Sequence, residues 1–458
     1  MKKYLLLLLN LFFVVLLLNA QTIAGGAGHS LAICNNNTVQ SWGYNPYGEL
    51  GNGTYIGSNV PVPVNSLTGV TAIAGGAGHS LSLKNNGTVW AWGWGGYGQL
   101  GNGTNAYSSV PVTVSYLTGI TAIGAGWYYS LALKNDGMVW AWGDNSSGQL
   151  GNGTNTDRSV PVTVSYLTGI TAIAAGYHHS LALKNNGTVW ALGWNCYGQL
   201  GNGDTTDSNI PVPISSLTGI TAIAAGYLHS LALRNDGTVW AWGWNYFGQL
   251  GNGSYTSSNI PVLVSSLTGI TAIAVGEDRS LALKNDGTVW AWGDNGDSGD
   301  SLNYGTDSNV PVPISSLTGI TAIAAGYHHS LALKNDGTLW AWGNNAGGQL
   351  GNGTTINSNV PVQVIGLCQI ANAVNEITEQ ISVSVFPNPS SGIFTASFNK
   401  KTADAKICVY DLLGNCVLNK VYGNDVSPKI NLSNQPQGMY FVEIVSNGET
   451  TTKKIIIK

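Results

Sequence analysis

The stretch A-A-G-Y-H-H-S-L-A-L-K-N-D-G-T-L-W-A-W-G-N-N-A-G-G-Q-L-G-N-G, residues Ala324–Gly353, decides the fold because it recurs along the chain every fifty residues. Seven copies follow one another in a constant register, and the first, degenerate copy ends at Trp42. The later copies carry a tryptophan pair or its replacement at Trp90/Trp92, Trp140/Trp142, Trp190/Leu192, Trp240/Trp242, Trp290/Trp292 and Trp340/Trp342. Periods of this size are typical of solenoids, propellers and other repeat arrays.

Each unit is expected to contain four short strands. In one unit they are Ile120–Ala125, Ser130–Lys134, Met138–Gly143 and Val160–Val164. Asn135-Asp136-Gly137 forms a tight turn between the second and third strands, since Asn and Gly accept positive φ. No stretch has the apolar spacing of an amphipathic helix.

The strands are apolar or small on both faces, which indicates that both faces are covered. Blades stacked radially around an axis cover both faces and leave no long exposed edge. We therefore predict an all-β chain with a seven-bladed β-propeller. An open β-solenoid with capping units at its ends is the alternative.

Charge is sparse, and the repeat region carries fifteen acidic residues against five Lys and three Arg. So few cations neutralise few phosphates, which argues against nucleic acid as a partner. No glycine-rich segment precedes a helical pattern, so the Gly-x-Gly matches indicate turns and no cofactor is expected.

Residues 1–20 have the pattern of a signal peptide, with Lys2 and Lys3 before the apolar run Leu5–Leu18 and a cleavage residue at Ala20. A membrane anchor is the alternative, although the run is short for one. No other segment is apolar enough to cross a bilayer, so no span is expected in the mature protein.

The repeat motif of Ala324–Gly353 resembles that of the regulator of chromosome condensation family, and the resemblance covers residues 21–368. It implies a seven-bladed propeller. The family includes a nuclear nucleotide exchange factor for a small GTPase and the exported bacterial β-lactamase inhibitor protein II type, which binds another protein. Neither activity follows from the repeat itself, and the constant spacing leaves no room for an inserted exchange wedge.

Residues 381–458 differ in composition and follow a linker at 369–380. The motifs Phe386–Thr395, Val409–Asn415, Gln437–Ile444 and the terminal K-K-I-I-I-K resemble the type A C-terminal sorting domain of type IX secretion substrates. This resemblance implies a small β-sandwich, a source among the Bacteroidetes, contact with the type IX secretion machinery, and a secreted or surface location. A generic small β-sandwich is the alternative.

Two groups of residues suggest chemistry. A His precedes Ser in five units, at His29, His79, His179, His229 and His329. No acid keeps a fixed spacing to these pairs, so we expect no hydrolytic triad and a hydrogen bond from each His to a neighbouring loop carbonyl. Asp294, Asp297 and Asp300 form a weak calcium candidate in a degenerate loop.

Differences between the units collect at the turn before the second strand and at the start of the long loop. Because the four strands alternate in direction, both places fall on the same rim of the ring, with the uniform Asn-Asp-Gly turns on the other. Aromatic side chains on a rigid frame are typical of recognition surfaces. The predicted binding residues are Tyr47, Trp94, Tyr97, Trp127, Tyr128, Tyr177, His178, Trp194, Tyr197, Tyr227, Trp244, Tyr246, Phe247, Tyr327 and His328. Neutral drift at tolerant loop sites is the alternative.

Five cysteines leave at least one unpaired. Cys34 and Cys368 map to the same side of the first and last units, so we predict a disulfide that closes the ring. We also predict a Cys408–Cys416 bridge, with Cys196 free.

These observations favour a secreted or surface binding protein that recognises a protein or a glycan through its aromatic rim. A carbohydrate-active enzyme on a propeller is the second hypothesis, and it lacks a convergent acid–base pair in the sequence. Nucleotide exchange, by family analogy, is the third, and an exported chain has no access to a cytosolic GTPase.

Overall fold

A computed structural model describes residues 22–294, 307–370, 383–398, 404–412, 414–423, 427–446 and 449–458. The chain divides into two compact units, Met1–Ala373 and Val374–Lys458. The predicted signal peptide and most of the predicted linker lie outside the described residues. The boundaries proposed for them therefore stay predictions.

The described part of the first unit contains seven antiparallel sheets of four consecutive strands each. Blades 1 to 4 are β1–β4 (Ile23–Gly25, His29–Ile33, Val39–Gly43, Ser58–Pro63), β5–β8 (Val70–Gly75, His79–Lys84, Val89–Gly93, Ser108–Thr113), β9–β12 (Ile120–Ala125, Tyr129–Lys134, Val139–Gly143, Arg158–Thr163) and β13–β16 (Ile170–Ala175, His179–Lys184, Val189–Gly193, Ser208–Pro213). Blades 5 to 7 are β17–β20 (Ile220–Ala225, His229–Arg234, Val239–Gly243, Ser258–Leu263), β21–β24 (Ile270–Val275, Arg279–Lys284, Val289–Gly293, Ser308–Pro313) and β25–β28 (Ile320–Ala325, His329–Lys334, Leu339–Gly343, Ser358–Gln363). In blade 3 the predicted strand ends lie within two residues of the observed ones.

The hydrophobic core lies between blades. Each of seven clusters joins the second and third strands of one blade to the first strands and buried tryptophan (or Leu192) of the next. One cluster joins Leu331 of blade 7 to Ile23 and Trp42 of blade 1. The sheets therefore form a closed ring, which confirms the propeller and rules out the open solenoid.

In six of the seven blades, one carbonyl oxygen of the long loop accepts hydrogen bonds from the next blade, and the equivalent residue of the blade 6 loop lies outside the described residues. The carbonyl oxygen of Gln99 accepts hydrogen bonds from Trp142 Nε1 at 2.8 Å and from Ser130 Oγ at 2.9 Å. Glu49 does the same for Trp92 and Ser80. The Gly-Gln-Leu-Gly motif of blades 2 to 5 and 7, and its Gly-Glu-Leu-Gly counterpart in blade 1, therefore support the following blade through the backbone.

The end of the propeller chain completes the first blade. Ile370 occupies the repeat position of Ile320 and pairs with Cys34, as Val70 pairs with Lys84 in blade 2. The amide of Asn35 donates to the carbonyl of Gln369 at 2.8 Å. Gln369 and Ile370, which the sequence prediction placed in the linker, therefore belong to the ring.

A disulfide joins Cys34 to Cys368 at this seam, with Cα atoms 5.7 Å apart. It is the pair that the sequence predicts. It links residues 334 positions apart, so the first and last blades are held covalently.

The second unit is a β-sandwich, as expected. Its strands are β29–β35: Val383–Phe386, Ile393–Phe398, Asp404–Tyr410, Cys416–Gly423, Lys429–Asn431, Gly438–Ser446 and Glu449–Ile457. One sheet has the order β29-β30-β33 and the other the order β32-β31-β34-β35. Phe394 and Ile430 of the first sheet share one core with Ile407, Val442 and Ile455 of the second.

The predicted Cys408–Cys416 bridge is wrong. Both thiols are free, as is that of Cys196. Cys408 lies opposite Asn419 on the neighbouring strand, while Cys416 lies opposite Tyr410 beyond a register shift. The hairpin therefore keeps the two cysteines at different levels of the sheet.

Candidate binding rim

Two variable segments of each blade meet at one end of the ring. The backbone amide of the first residue of the long loop donates a hydrogen bond to the carbonyl oxygen of the residue two positions before the recurrent Ser. Trp94 donates to Gly78 at 2.6 Å, and Trp194 donates to His178 at 2.8 Å. All seven blades make this bond. We call this end the aromatic rim, and we call the opposite end, with the turns around Asn135–Gly137, the turn rim.

Four aromatic side chains meet at the axis of the aromatic rim. The ring of Trp127 in blade 3 lies 4.5 Å from that of Tyr327 in blade 7 and 4.8 Å from that of Tyr177. Tyr227 lies 4.1 Å from Tyr177. Because blades 3 and 7 lie across the ring from each other, these side chains lie over its axis.

Aromatic side chains continue outward over two sectors. In blades 1 to 3, Trp94 stacks on Tyr47 at 5.2 Å and meets the edge of Tyr128 at 4.4 Å. In blades 4 and 5, Trp244 lies 5.6 Å from Tyr197 and 6.1 Å from Tyr246. The side chains of Tyr97, Tyr197 and Tyr246 are exposed.

Ring contacts connect all the predicted binding residues except His328 into one network, which also includes Tyr107. We call this network the aromatic crescent. His328 instead pairs with Glu277, with Nδ1 and Oε2 2.9 Å apart. The structure thus brings these residues together, and their role in binding stays a prediction.

One position of the aromatic rim is polar in blade 3, where Asp144 replaces the tryptophan of blades 2, 4 and 5. Its carboxylate lies 3.1 Å from His178 Nδ1 and accepts a hydrogen bond from Gln149 Nε2 at 2.7 Å. Burial raises the pKa of Asp144, but the hydrogen bonds from His178 and Ser146 outweigh it and lower the net pKa. Asp144 therefore carries its charge into the rim at neutral pH.

Blade 6 places two acids, Glu277 and Asp278, where blades 3, 4 and 7 place aromatic or histidine side chains. Burial, with the nearby charges of Glu277 and Asp294, raises the pKa of Asp278 to about 7. Asp297 and Asp300 lie outside the described residues, so the calcium prediction stays untested. Within the described ranges, no group of three or more His, Cys, Asp or Glu is placed to hold a metal ion.

The buried histidines join blades and do not serve as bases. Nε2 of His29 lies 2.8 Å from Oγ of Ser80 in the next blade, and His179 and Ser230 repeat the contact at 2.9 Å. The partner is a hydroxyl and not the predicted loop carbonyl. Each Ser hydroxyl donates its hydrogen to a long-loop carbonyl, as Ser80 does to Glu49 and Ser230 to Gln199. In the His–Ser contact the imidazole Nε2 is therefore the donor, and it cannot remove the Ser proton. Burial lowers the pKa of His29 to about 4 and of His179 to about 3, so both stay neutral.

The sequence matches the RCC1-like domain family over residues 118–385 and the regulator of chromosome condensation repeat over residues 36–83 and 86–133. A related profile of the same repeat matches residues 21–49 and 70–99. The chain belongs to the RCC1-like domain family. Residues 384–458 match the secretion system C-terminal sorting domain.

Solved structures show the same fold. Human WBSCR16 is 25% identical with a TM-score of 0.65, and the match covers 71% of this chain and 93% of that one. Yeast RCC1 (Prp20), in its complex with Kap60, is 23% identical with a TM-score of 0.65, over 77% and 87%. Prp20p from Saccharomyces cerevisiae is 24% identical with a TM-score of 0.63, and the match covers 78% of this chain and 88% of that one. Comparison with curated protein sequences finds no match.

The type IX sorting domain identifies this RCC1-like protein as one exported to the cell surface or the extracellular space. Within the part of the chain that the structure describes, no helix is long and apolar enough to cross a membrane.

Proposed function

We propose that this RCC1-like protein binds another protein outside the cell through the aromatic crescent. The observation that carries the proposal is the continuity of the crescent. Rings from blades 1, 2, 3, 4, 5 and 7 touch one another on one end of the ring.

The side chains of the crescent suit a protein interface. Tyr and Trp combine a large apolar area with a polar group, and they lose little conformational entropy on binding. Burial and the neighbouring Tyr177 raise the pKa of Tyr227, so its hydroxyl stays a neutral hydrogen-bond donor. Asp144, whose lowered pKa keeps it ionised, adds charge that would select a partner with basic groups.

The frame beneath the crescent supports preorganised binding. Backbone hydrogen bonds connect the seven turns around the axis, as from Trp127 to Gly176 and from Tyr327 to Gly26. The buried His–Ser contacts lie directly below them. A rim fixed in this way loses little freedom when a partner binds, which favours affinity.

The comparisons support the class of function and not the partner. Yeast RCC1 binds Kap60, and Prp20p has been studied for binding to Gsp1p and histones. At these identities the likeness carries only the fold. Export gives this chain a different set of partners to meet.

The test is affinity capture with the full chain as bait, using culture medium and surface extracts. The triple variant Trp94→Ala, Trp194→Ala and Trp244→Ala should lose a captured protein by 100-fold or more, since central tryptophans carry about 2 kcal/mol or more each. Its melting temperature should change little, because these side chains lie on loops and are only half-buried.

A matched control lies on the turn rim. Tyr116 and Tyr166 are 82% and 78% exposed, and Ser occupies the same repeat position in blades 1 and 5. The variant Tyr116→Ser with Tyr166→Ser should retain capture. Equal capture by the triple variant would show that the crescent is not the binding surface.

A further inference from the structure

A cleft at the seam between blades 1 and 7 is separate from the aromatic crescent. It has a volume of about 550 Å³ and opens between the long loops of these two blades. Pockets for small ligands fall in this range of volume. Its lining includes Tyr44, Tyr55 and Asn59 of blade 1 and Gly347 and Thr355 of blade 7.

The repeat explains why the cleft exists. At two other blade boundaries, the aromatic residue that starts one long loop packs on an aromatic residue of the preceding loop. Trp94 stacks on Tyr47, and Trp244 lies 5.6 Å from Tyr197. At the seam, Tyr44 has the position of Trp94, and Gly347 has the position of Tyr47.

Gly347 lies beside Tyr44 and supplies no ring to cover it. A Cβ atom added to Gly347 would lie 3.1 Å from Cβ of Tyr44, which places the two loops side by side. Tyr44 is 53% exposed and Tyr55 is 54% exposed. Within the described residues, neither ring contacts another aromatic ring, in contrast to the members of the crescent.

The polar groups of the cleft are neutral. None of its lining residues is charged. The side-chain amide of Asn59 donates to the carbonyl of Gly353 at 2.8 Å, which fixes its orientation. The hydroxyls of Tyr44, Tyr55 and Thr355 make no hydrogen bond in the described part of the chain, so they can donate to and accept from a ligand.

We propose that this cleft is a second binding site, for one or two rings of a neutral saccharide. A pyranose has an apolar C–H face that packs on an aromatic ring, and hydroxyls that need neutral donors and acceptors around its edge. Exposed tyrosine rings with amide and hydroxyl groups provide both. A charged sugar would have no counter-charge here, and an apolar ligand would leave the hydroxyls unpaired.

The experiment titrates the full chain with cellotetraose, maltotetraose, mannotetraose and chitotetraose by isothermal calorimetry, up to about 5 mM sugar. At least one of the four should bind. The double variant Tyr44→Ala with Tyr55→Ala should weaken that binding by about tenfold or more, on the scale of two aromatic contacts.

A second variant fills the cleft without removing a tyrosine. Gly347→Tyr introduces the residue found at Tyr47, Tyr97 and Tyr197, and it should abolish saccharide binding. Its Cβ would lie 3.1 Å from Cβ of Tyr44, so a small loss of melting temperature is expected while the fold is retained. The control Tyr116→Ser with Tyr166→Ser should bind as the unaltered chain does. The crescent variant Trp94→Ala, Trp194→Ala and Trp244→Ala should also keep saccharide affinity, which separates this site from the proposed protein interface.

Three results would overturn the proposal. The first is that none of the four sugars binds, and the second is that neither cleft variant affects binding. The third is that oligogalacturonate, which is charged, binds more tightly than the neutral sugars. Loss of protein capture in the crescent variant has no bearing on these outcomes.

Discussion

The turn rim and the aromatic rim are two ends of the same strands, yet they differ in sequence for a physical reason. At the turn rim, residues such as Asn135 and Gly137 set the backbone turn itself, so the repeat holds them nearly constant. At the aromatic rim, the same repeat fixes the backbone through buried His–Ser and Trp–carbonyl bonds one layer below. The surface side chains are then free to differ between blades without loss of the fold.

This contrast has a sharp example in two adjacent residues. His179 is fully buried and contacts Ser230 of the next blade. His178 is partly exposed and pairs with Asp144 of the preceding blade. The first belongs to the frame and recurs, whereas the second belongs to the rim and is replaced by Tyr128 and Leu228 in neighbouring blades.

The largest expected effect is the loss of stability at acidic pH, which tests the buried histidines below the aromatic rim. Burial lowers the pKa of His29 to about 4 and that of His79, His179 and His229 to about 3. Their contribution to stability is therefore complete above the unfolded pKa of 6.5 and is lost as the pH falls towards these folded values. Each histidine should lower the free energy of unfolding by about 1.4 kcal/mol per pH unit in this window.

Urea unfolding of the full chain at pH 4 to 8 measures this slope. His79→Gln should reduce it by one proton. A pH-independent unfolding free energy from pH 6.5 to 4.5 would mean that the frame does not depend on neutral imidazoles.

Removal of the Cys34–Cys368 disulfide tests how much ring closure at the turn rim contributes to stability. In the chain-entropy account, a loop of this length stabilises the fold by about 6 kcal/mol before any strain. Cys34→Ser with Cys368→Ser should lower the unfolding free energy by this order, and reduction should have the same effect on the unaltered chain. Cys196→Ser serves as the control because its thiol is free. An unchanged melting temperature in the double variant would contradict this role.

Two tryptophans allow the buried layer and the aromatic rim to be compared by their effect on stability. Trp142 is fully buried and donates to the Gln99 carbonyl, so Trp142→Ala should cost about 3–5 kcal/mol of stability. Trp94→Ala on the rim should cost less than about 1 kcal/mol. Chemical denaturation of both variants decides between them, and equal losses would show that the crescent is part of the core.

The smallest expected effect concerns Glu49, which occupies the position of Gln99 and Gln149. Burial raises the pKa of Glu49 to about 7. Because the folded state then binds the proton more tightly than the unfolded chain, stability falls as the pH rises from about 4.5 through 7. Glu49→Gln should stabilise the protein by about 3 kcal/mol at pH 8 and by less than about 1 kcal/mol at pH 5, as thermal unfolding at both pH values would show. Equal melting temperatures of the two proteins at pH 8 would show that the Glu49 carboxylate does not destabilise the fold.

The repeat register predicted the blades because each strand needs only local pattern and turn residues. It also placed the members of the crescent on one rim, since strand direction alone decides that. It did not distinguish Trp140 from Trp142, which lie two residues apart on one face of a strand. Trp142 is the fully buried one because the preceding blade's loop covers it, and that contact comes from 43 residues away.

Other errors have the same origin. The partner of each buried histidine lies in the next blade, 51 residues away for four of them and 299 residues away for His329. The Cys408–Cys416 error came from a hairpin register that the sequence does not reveal. The seam cleft depends on Gly347 of the last blade facing Tyr44 of the first, a neighbourhood that only ring closure creates.

Completion of blade 1 by Ile370 has a consequence for the order in which the molecule is made. Synthesis delivers Ile23 first and Ile370 last, with six blades between them. Until the final residues of the repeat array leave the ribosome, the first blade lacks the start of its innermost strand and the ring stays open. The propeller is therefore the product of a whole chain, and any premature stop within the array yields an arc whose two ends are both unfinished.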